Sequence, residues 1–241
     1  MRVIDRPSPN HEARQPGQVI DMLLLHYTGM PSAAVALDRM CDPAARVSAH
    51  YCIDEDGTVY RLVPEARRAW HAGQSSWGGI TDINGRSIGI ELVNPGHDHG
   101  YRPFPESQMT ALIALSQGIL ARHPIPPEHV LGHSDVAPLR KTDPGELFDW
   151  AGLARAGIGL WPVPAEGENE TASLEEIRSL LKDFGYDVGT GNEVGALTRA
   201  AIAAFQRHFR PTAVTGEADA ETTARLKALL AQRAGPSRAA N

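Results

Sequence analysis

The sequence predicts an α/β domain, a mixed central β-sheet flanked by helices, followed by a small three-helix bundle. Three observations predict this. Short apolar runs alternate with helical periods through the first 160 residues, a stretch rich in proline, glycine and acid interrupts the chain at 161–172, and only helical periodicity follows. The chain's 241 residues are more than one average domain needs. The expected division is therefore a domain over 1–160, a linker over 161–172, a helical domain over 173–233 and a flexible tail over 234–241.

Within the first domain, Met22 to His26, Ser48 to Ile53, Val59 to Val63 and Ser87 to Val93 have the length and composition of strands. Asp56-Gly57 between two of them predicts a hairpin turn. Pro31 to Met40 and Pro105 to His123 predict helices, the second with Pro105 and Glu106 in its first turn and Leu112, Leu115 and Ile119 along one face. In the helical domain, Ser173-Leu-Glu-Glu176 is a capping box opening a helix striped by Leu174, Ile177, Leu181 and Phe184 and stopped by Gly185. A second helix carries Leu197, Ala201, Phe205 and Phe209, and a third starts near Asp219 and carries Leu226 and Leu230.

Composition narrows the function classes. Apolar residues make up 42% of the chain and charged residues 22%, with a formal net charge of −6, so nothing favours disorder or a nucleic-acid partner. No run approaches the roughly 18 apolar residues that a membrane span needs. The first twenty residues are too polar for a signal peptide, which makes the expected location cytoplasmic, or periplasmic if an export segment preceded this sequence. Cys41 and Cys52 lack metal-site spacing and are expected to be buried free thiols.

The residues capable of chemistry lie at strand ends and in loops. His26 ends the run Met-Leu-Leu-Leu-His and precedes a turn-forming Tyr27-Thr-Gly-Met-Pro31, a position that can face a cleft at a sheet edge. His133 and Asp143 occupy a loop stiffened by Pro138 and Pro144. Two imidazoles and one carboxylate would satisfy a catalytic zinc site with an open position, although ten histidines leave many triples to choose from. Glu91 interrupts the apolar strand Ser-Ile-Gly-Ile-Glu-Leu-Val. It either faces solvent, as a period of two allows, or is a buried carboxylate that requires a partner or a task. Trp70-His71-Ala72-Gly73 and Trp77-Gly78-Gly79 form a glycine-rich aromatic region suited either to a sugar ring or to anchoring its own loop.

Taken in order, the segments Leu-His-Tyr-Thr (25–28), Val-Ser-Ala-His-Tyr (47–51), Trp-His-Ala-Gly (70–73), Ser-Ile-Gly-Ile-Glu (87–91), Gly-His-Ser-Asp (132–135) and Lys-Thr-Asp-Pro-Gly (141–145) resemble the type 2 N-acetylmuramoyl-L-alanine amidases, whose fold is shared with the peptidoglycan recognition proteins. The resemblance covers roughly residues 15 to 155. It implies a Zn2+ held by His26, His133 and Asp143, catalytic roles for Glu91 and Lys141, and peptidoglycan or its muropeptide fragments as substrate, in cell-wall recycling. Tyr27, His50, Trp70, His71 and Arg86 are the expected substrate contacts. With Leu180 to Gly185-Tyr186, the Thr198 to Ala-Phe-Gln206 segment, and Gly216 with Thr222 and Leu226, the helical domain resembles the small peptidoglycan-binding domain of wall hydrolases, departing from its pattern at Pro211-Thr-Ala213. The rival reading is a recognition protein that binds wall peptides without cutting them. Such proteins lose at least one zinc ligand, and this chain keeps all three.

Overall fold

The computed structural model describes residues 2–164, 171–190 and 194–234. The chain runs β1 (Val3–Asp5), β2 (His11–Ala13), β3 (Met22–Tyr27), α1 (Ala33–Cys41), β4 (Tyr51–Ile53), β5 (Val59–Arg61), β6 (Arg67–Ala69), α2 (Ile83–Arg86), β7 (Ser87–Leu92), α3 (Glu106–Arg122), β8 (Val130–Gly132), α4 (His133–Val136) and α5 (Trp150–Arg155). The helical part adds α6 (Leu174–Phe184), α7 (Val194–Phe209) and α8 (Ala220–Ala234). Among the described residues, no helix is long and apolar enough to cross a membrane.

Six strands form one mixed sheet in the order β1-β5-β4-β7-β3-β8, with β4 and β5 antiparallel and the other pairs parallel. The expected hairpin joins β4 to β5, with Gly57 at a φ of 85°. A separate antiparallel pair joins β2 to β6. The period of two decides which way each side chain of β3 and β7 points. Leu23, Leu25, Ile88, Ile90 and Leu92 pack with Leu112, Leu115 and Ile119 of α3. Met22 and Leu24 point to the opposite face, as do His26, Ser87, Gly89 and Glu91.

Helix ends follow the local chemistry read from the sequence. Ser32 caps α1 by accepting from the Val35 N–H, and Ser173 caps α6 by accepting from the Glu176 N–H. Gly185 ends α6 at a φ of 138°. At Pro211-Thr-Ala213 a turn forms without glycine, closed by Ala213 N–H donating to Arg210 O at 3.2 Å. Gln206 holds the next loop, its amide nitrogen donating to Glu217 O and Thr222 Oγ1 and its Oε1 accepting from the Thr215 and Gly216 N–H groups.

The helical part packs directly on the sheet domain. One apolar cluster joins Met22, Leu24, Trp77, Leu131 and Val136 to Ile177, Leu181, Phe184, Phe205 and Phe209. The expected linker is described only over its first and last residues, since 165–170 lie outside the described residues, as does the tail beyond Ala234. Cys52 is buried, whereas Cys41 is only half-buried; both are free thiols.

Candidate metal centre

Three groups converge beyond the carboxyl ends of two adjacent parallel strands, where open sheets place their ligands. His26 is the penultimate residue of β3, His133 opens α4 directly after β8, and Asp143 lies on the loop beyond. That loop is tied back by Ser134 N–H donating to Asp143 O at 2.9 Å and Lys141 N–H donating to Ala137 O at 3.0 Å. The ligand atoms of His26, His133 and Asp143 all lie within 4.8 Å of one another. His26 Nδ1 is 3.0 Å from His133 Nδ1, and both nitrogens are 3.1 Å from Asp143 Oδ2.

The outer nitrogens settle which ring atoms carry protons. His133 Nε2 stands 2.9 Å from the Ala72 carbonyl, which only accepts, so Nε2 carries a hydrogen and, in the tautomer with one ring hydrogen, Nδ1 presents its lone pair. For His26 the answer comes from a chain of three groups. The Ser87 hydroxyl donates to Ile83 O at 2.7 Å, so its oxygen accepts from His71 Nε2–H at 3.3 Å. His71 Nδ1 then accepts from His26 Nε2–H at 3.0 Å, leaving a lone pair on His26 Nδ1 as well.

Burial, followed by the adjacent His133, pushes the His26 imidazolium down to about 4 against the pull of Asp143. Burial opposes the charge on Asp143, yet His133 and His26 hold its carboxyl well below the usual carboxylate range. In these tautomers two ring lone pairs and a carboxylate oxygen face one another about 3 Å apart. A cation is the group that such a buried arrangement fits.

Glu91 lies beside His26 in register on the parallel pair β3–β7, and its Oε2 is buried with no hydrogen-bond partner among the described residues. Burial first, then the charge of Asp143, raises its carboxyl well above the usual range, with the Lys141 ammonium opposing. A cleft of about 370 Å3 reaches Glu91, Lys141, His71, His133, Asp143 and Tyr27 together.

The expected substrate contacts divide. Tyr27 lines this cleft, its hydroxyl bonded to His97 Nδ1 and Thr142 Oγ1. His71 reaches the cleft but is spent on His26 and Ser87. His50, Trp70 and Arg86 are not brought to it. His50 is wholly buried, accepting from Gly89 N–H at Nδ1 with Nε2 on Arg67 O. Trp70 donates to Glu12, and Arg86 is paired with Asp21. Trp77 is a core anchor, its ring edge-on to Tyr186 at 4.8 Å and packed over Gly185.

Sequence reasoning missed Ser87, Asn84 and Arg140. Asn84 Oδ1 accepts from the N–H groups of both His71 and Ala72, and Arg140 donates to the Ala72 and Gln74 carbonyls. Ser87 and Arg140 adjoin or lie within quoted segments, yet only the fold shows what they touch.

Two imidazoles and a carboxylate, with an adjoining glutamate whose Oε2 has no hydrogen-bond partner among the described residues, define the class: a hydrolase site arranged for metal-assisted attack of water. A family model for N-acetylmuramoyl-L-alanine amidase matches residues 16–146, and one for a peptidoglycan binding domain matches residues 170–226. AmiD of Escherichia coli strain K12 is 42% identical over 238 residues, covering 88% of this chain and 82% of that protein. The structure of the E. coli amidase AmiD with its substrate anhydro-N-acetylmuramic acid-L-Ala-D-γ-Glu-L-Lys superposes with a TM-score of 0.81 at 38% identity, covering 91% of this chain and 92% of that one. AmpDh3 of Pseudomonas aeruginosa in complex with anhydromuramic pentapeptide gives a TM-score of 0.76 at 33% identity, covering 92% of this chain and 96% of that one. The chain belongs to the N-acetylmuramoyl-L-alanine amidase family.

Proposed function

We propose that this protein is a zinc-dependent amidase that hydrolyses the bond between N-acetylmuramic acid, including its anhydro form, and the L-alanine of the attached peptide, in cell-wall recycling. The observation that carries the metal is the facing of two Nδ1 lone pairs and Asp143 Oδ2. Tetrahedral zinc with bonds of about 2.0–2.1 Å places its ligands about 3.3 Å apart, close to the spacings seen. The anhydromuramyl peptides held by the two solved relatives support the substrate class.

His26, His133 and Asp143 would hold the ion. When bound, zinc supplies Lewis acidity, polarising the scissile carbonyl and lowering the pKa of water to about 7. Glu91 takes a proton from the attacking water, and its raised proton affinity suits it to hold that proton until the alanine nitrogen departs. The Lys141 ammonium, in the same cleft, stabilises the negative charge that grows on the carbonyl oxygen. The shared cleft also argues against a recognition protein that only binds, which has no use for a base and an ammonium beside the ligand set.

The test is mass spectrometry of products from a defined anhydromuramyl tetrapeptide. Zinc-loaded protein should release free peptide, while chelated protein and Glu91→Ala should not. Equal release after chelation would overturn the metal; no release by the zinc-loaded protein, with binding retained, would make this a recognition protein.

A further inference from the structure

A carboxylate absent from the catalytic set joins the two parts of the chain. Asp135 lies two residues past His133 in α4 and is completely buried. Its Oδ2 accepts from Gly132 N–H at 2.7 Å, capping the turn on which His133 is mounted. Its two other partners come from the helical domain. Tyr186 O–H donates to Oδ1 at 2.6 Å, and His208 Nδ1–H donates to Oδ2 at 2.7 Å.

The donors are themselves held in place. The His208 ring is stacked between Trp150 at 3.6 Å and Phe209 at 3.7 Å, and Tyr186 packs edge-on against Trp77. Trp150 closes the arrangement from the other side, since a β-carbon on Gly132 would stand 3.2 Å from its ring. Gly132, His133 and Asp135 are thus gripped from the sheet domain through Trp150 and from the helical domain through Tyr186 and His208.

We infer that Tyr186 and His208 are positioning residues for the metal centre, so that the helical domain sets the metal affinity of His133 through Asp135 in addition to any binding of the wall. A buried carboxylate stripped of its donors must turn toward water or another donor. Either movement releases Gly132 N–H and lets the His133 turn drift from His26 and Asp143. Outer partners of metal ligands typically matter by about 10- to 100-fold in affinity or activity.

The inference rests on the zinc reading above, and its test keeps the two separable. In the full-length protein, Tyr186→Phe and His208→Phe each remove a donor while keeping an aromatic ring. Zinc affinity is read by chelator competition, alongside kcat and KM for a soluble anhydromuramyl peptide. Each variant should bind zinc about 10-fold more weakly and lose kcat with little change in KM. His208→Gln, which keeps a donor, should recover part of the affinity. Leu229→Ala, which loosens the same domain's core from α8 and removes no partner of Asp135, should lower thermal stability and leave zinc affinity unchanged. Unchanged zinc affinity in both donor variants overturns the inference and reduces the contact to domain packing. Should Leu229→Ala lower the affinity equally, general loosening explains the effect and the inference also falls. A wild-type protein that binds no zinc overturns the metal reading itself.

Discussion

Gly89 lies directly beneath the His71 ring, so close that a β-carbon there would stand 2.5 Å from the imidazole. The ring has nowhere to retreat, because one nitrogen is bonded to His26 and the other to Ser87. The glycine in Ser-Ile-Gly-Ile-Glu is therefore a clearance for the residue that orients a metal ligand. Gly89→Ala should destabilise the protein by about 1–3 kcal/mol, as overpacking of a rigid core does. It should also reduce zinc content after dialysis. A wild-type denaturation midpoint with full zinc retention would contradict this account.

Ser87 ends the chain that sets the His26 tautomer. Its hydroxyl is committed to Ile83 O, so it can only accept from His71. Ser87→Ala removes that acceptor and frees His71 to place its hydrogen on Nδ1, facing His26 Nε2–H as a second donor. Zinc affinity should fall about 10-fold, with a stability loss of about 1 kcal/mol for the missing hydrogen bond. Chelator competition and urea unfolding measure the two effects separately. Loss of stability without loss of affinity would show that the tautomer is fixed elsewhere.

Lys141 shares the cleft with Glu91 but is outside the ligand set. Its removal should leave zinc bound and strip stabilisation from the developing oxyanion, typically about 3–4 kcal/mol for such a donor. Lys141→Ala should accordingly lower kcat by about 100- to 1,000-fold, with KM nearly constant and stoichiometric zinc by metal analysis. A rise in KM at constant kcat would instead assign the ammonium to ground-state binding.

The sequence made the strongly periodic elements legible, and the limits of that reading are physical. The continuous apolar run of β3, the alternation of β7 and the stripe on α3 are long enough to be read, and the caps at Ser173 and Gly185 act within one turn of their own helix. Strands β1, β2, β6 and β8 have three residues each, too few for any period to emerge. Ordered motifs brought His26, His133, Asp143, Glu91 and Lys141 forward, and the fold gathers them at one cleft. His50 and Arg86 sit within or beside the same motifs, but their side chains point to Arg67 O and Asp21. Ser87 and Asp135 were hidden for the converse reason. Their importance lies in partners 16, 51 and 73 residues away, which local spacing cannot reveal.

His50 gives the protein a predictable acid sensitivity. Burial is the main reason that its imidazolium is pushed down to about 3; Arg67 O pulls the other way and the nearby Arg14 guanidinium adds to the depression. A released histidine titrates near 6.5, so below that pH the unfolded chain binds a proton that the folded chain refuses. The folded pKa is the depressed one, so the stability is complete above pH 6.5 and declines as pH falls toward 3. Each such histidine adds a slope of about 1.4 kcal/mol per pH unit in that window. In chelated protein His26, held down to about 4, adds a second slope over the upper part of the range. Urea unfolding of chelated protein should therefore show stability falling between pH 6 and 4.5, and His50→Gln should flatten the fall even though it lowers the starting value. A variant as steep as wild type would mean that His50 already carries its proton in the folded state, and that the Gly89 N–H bond to its Nδ1 is not made as described.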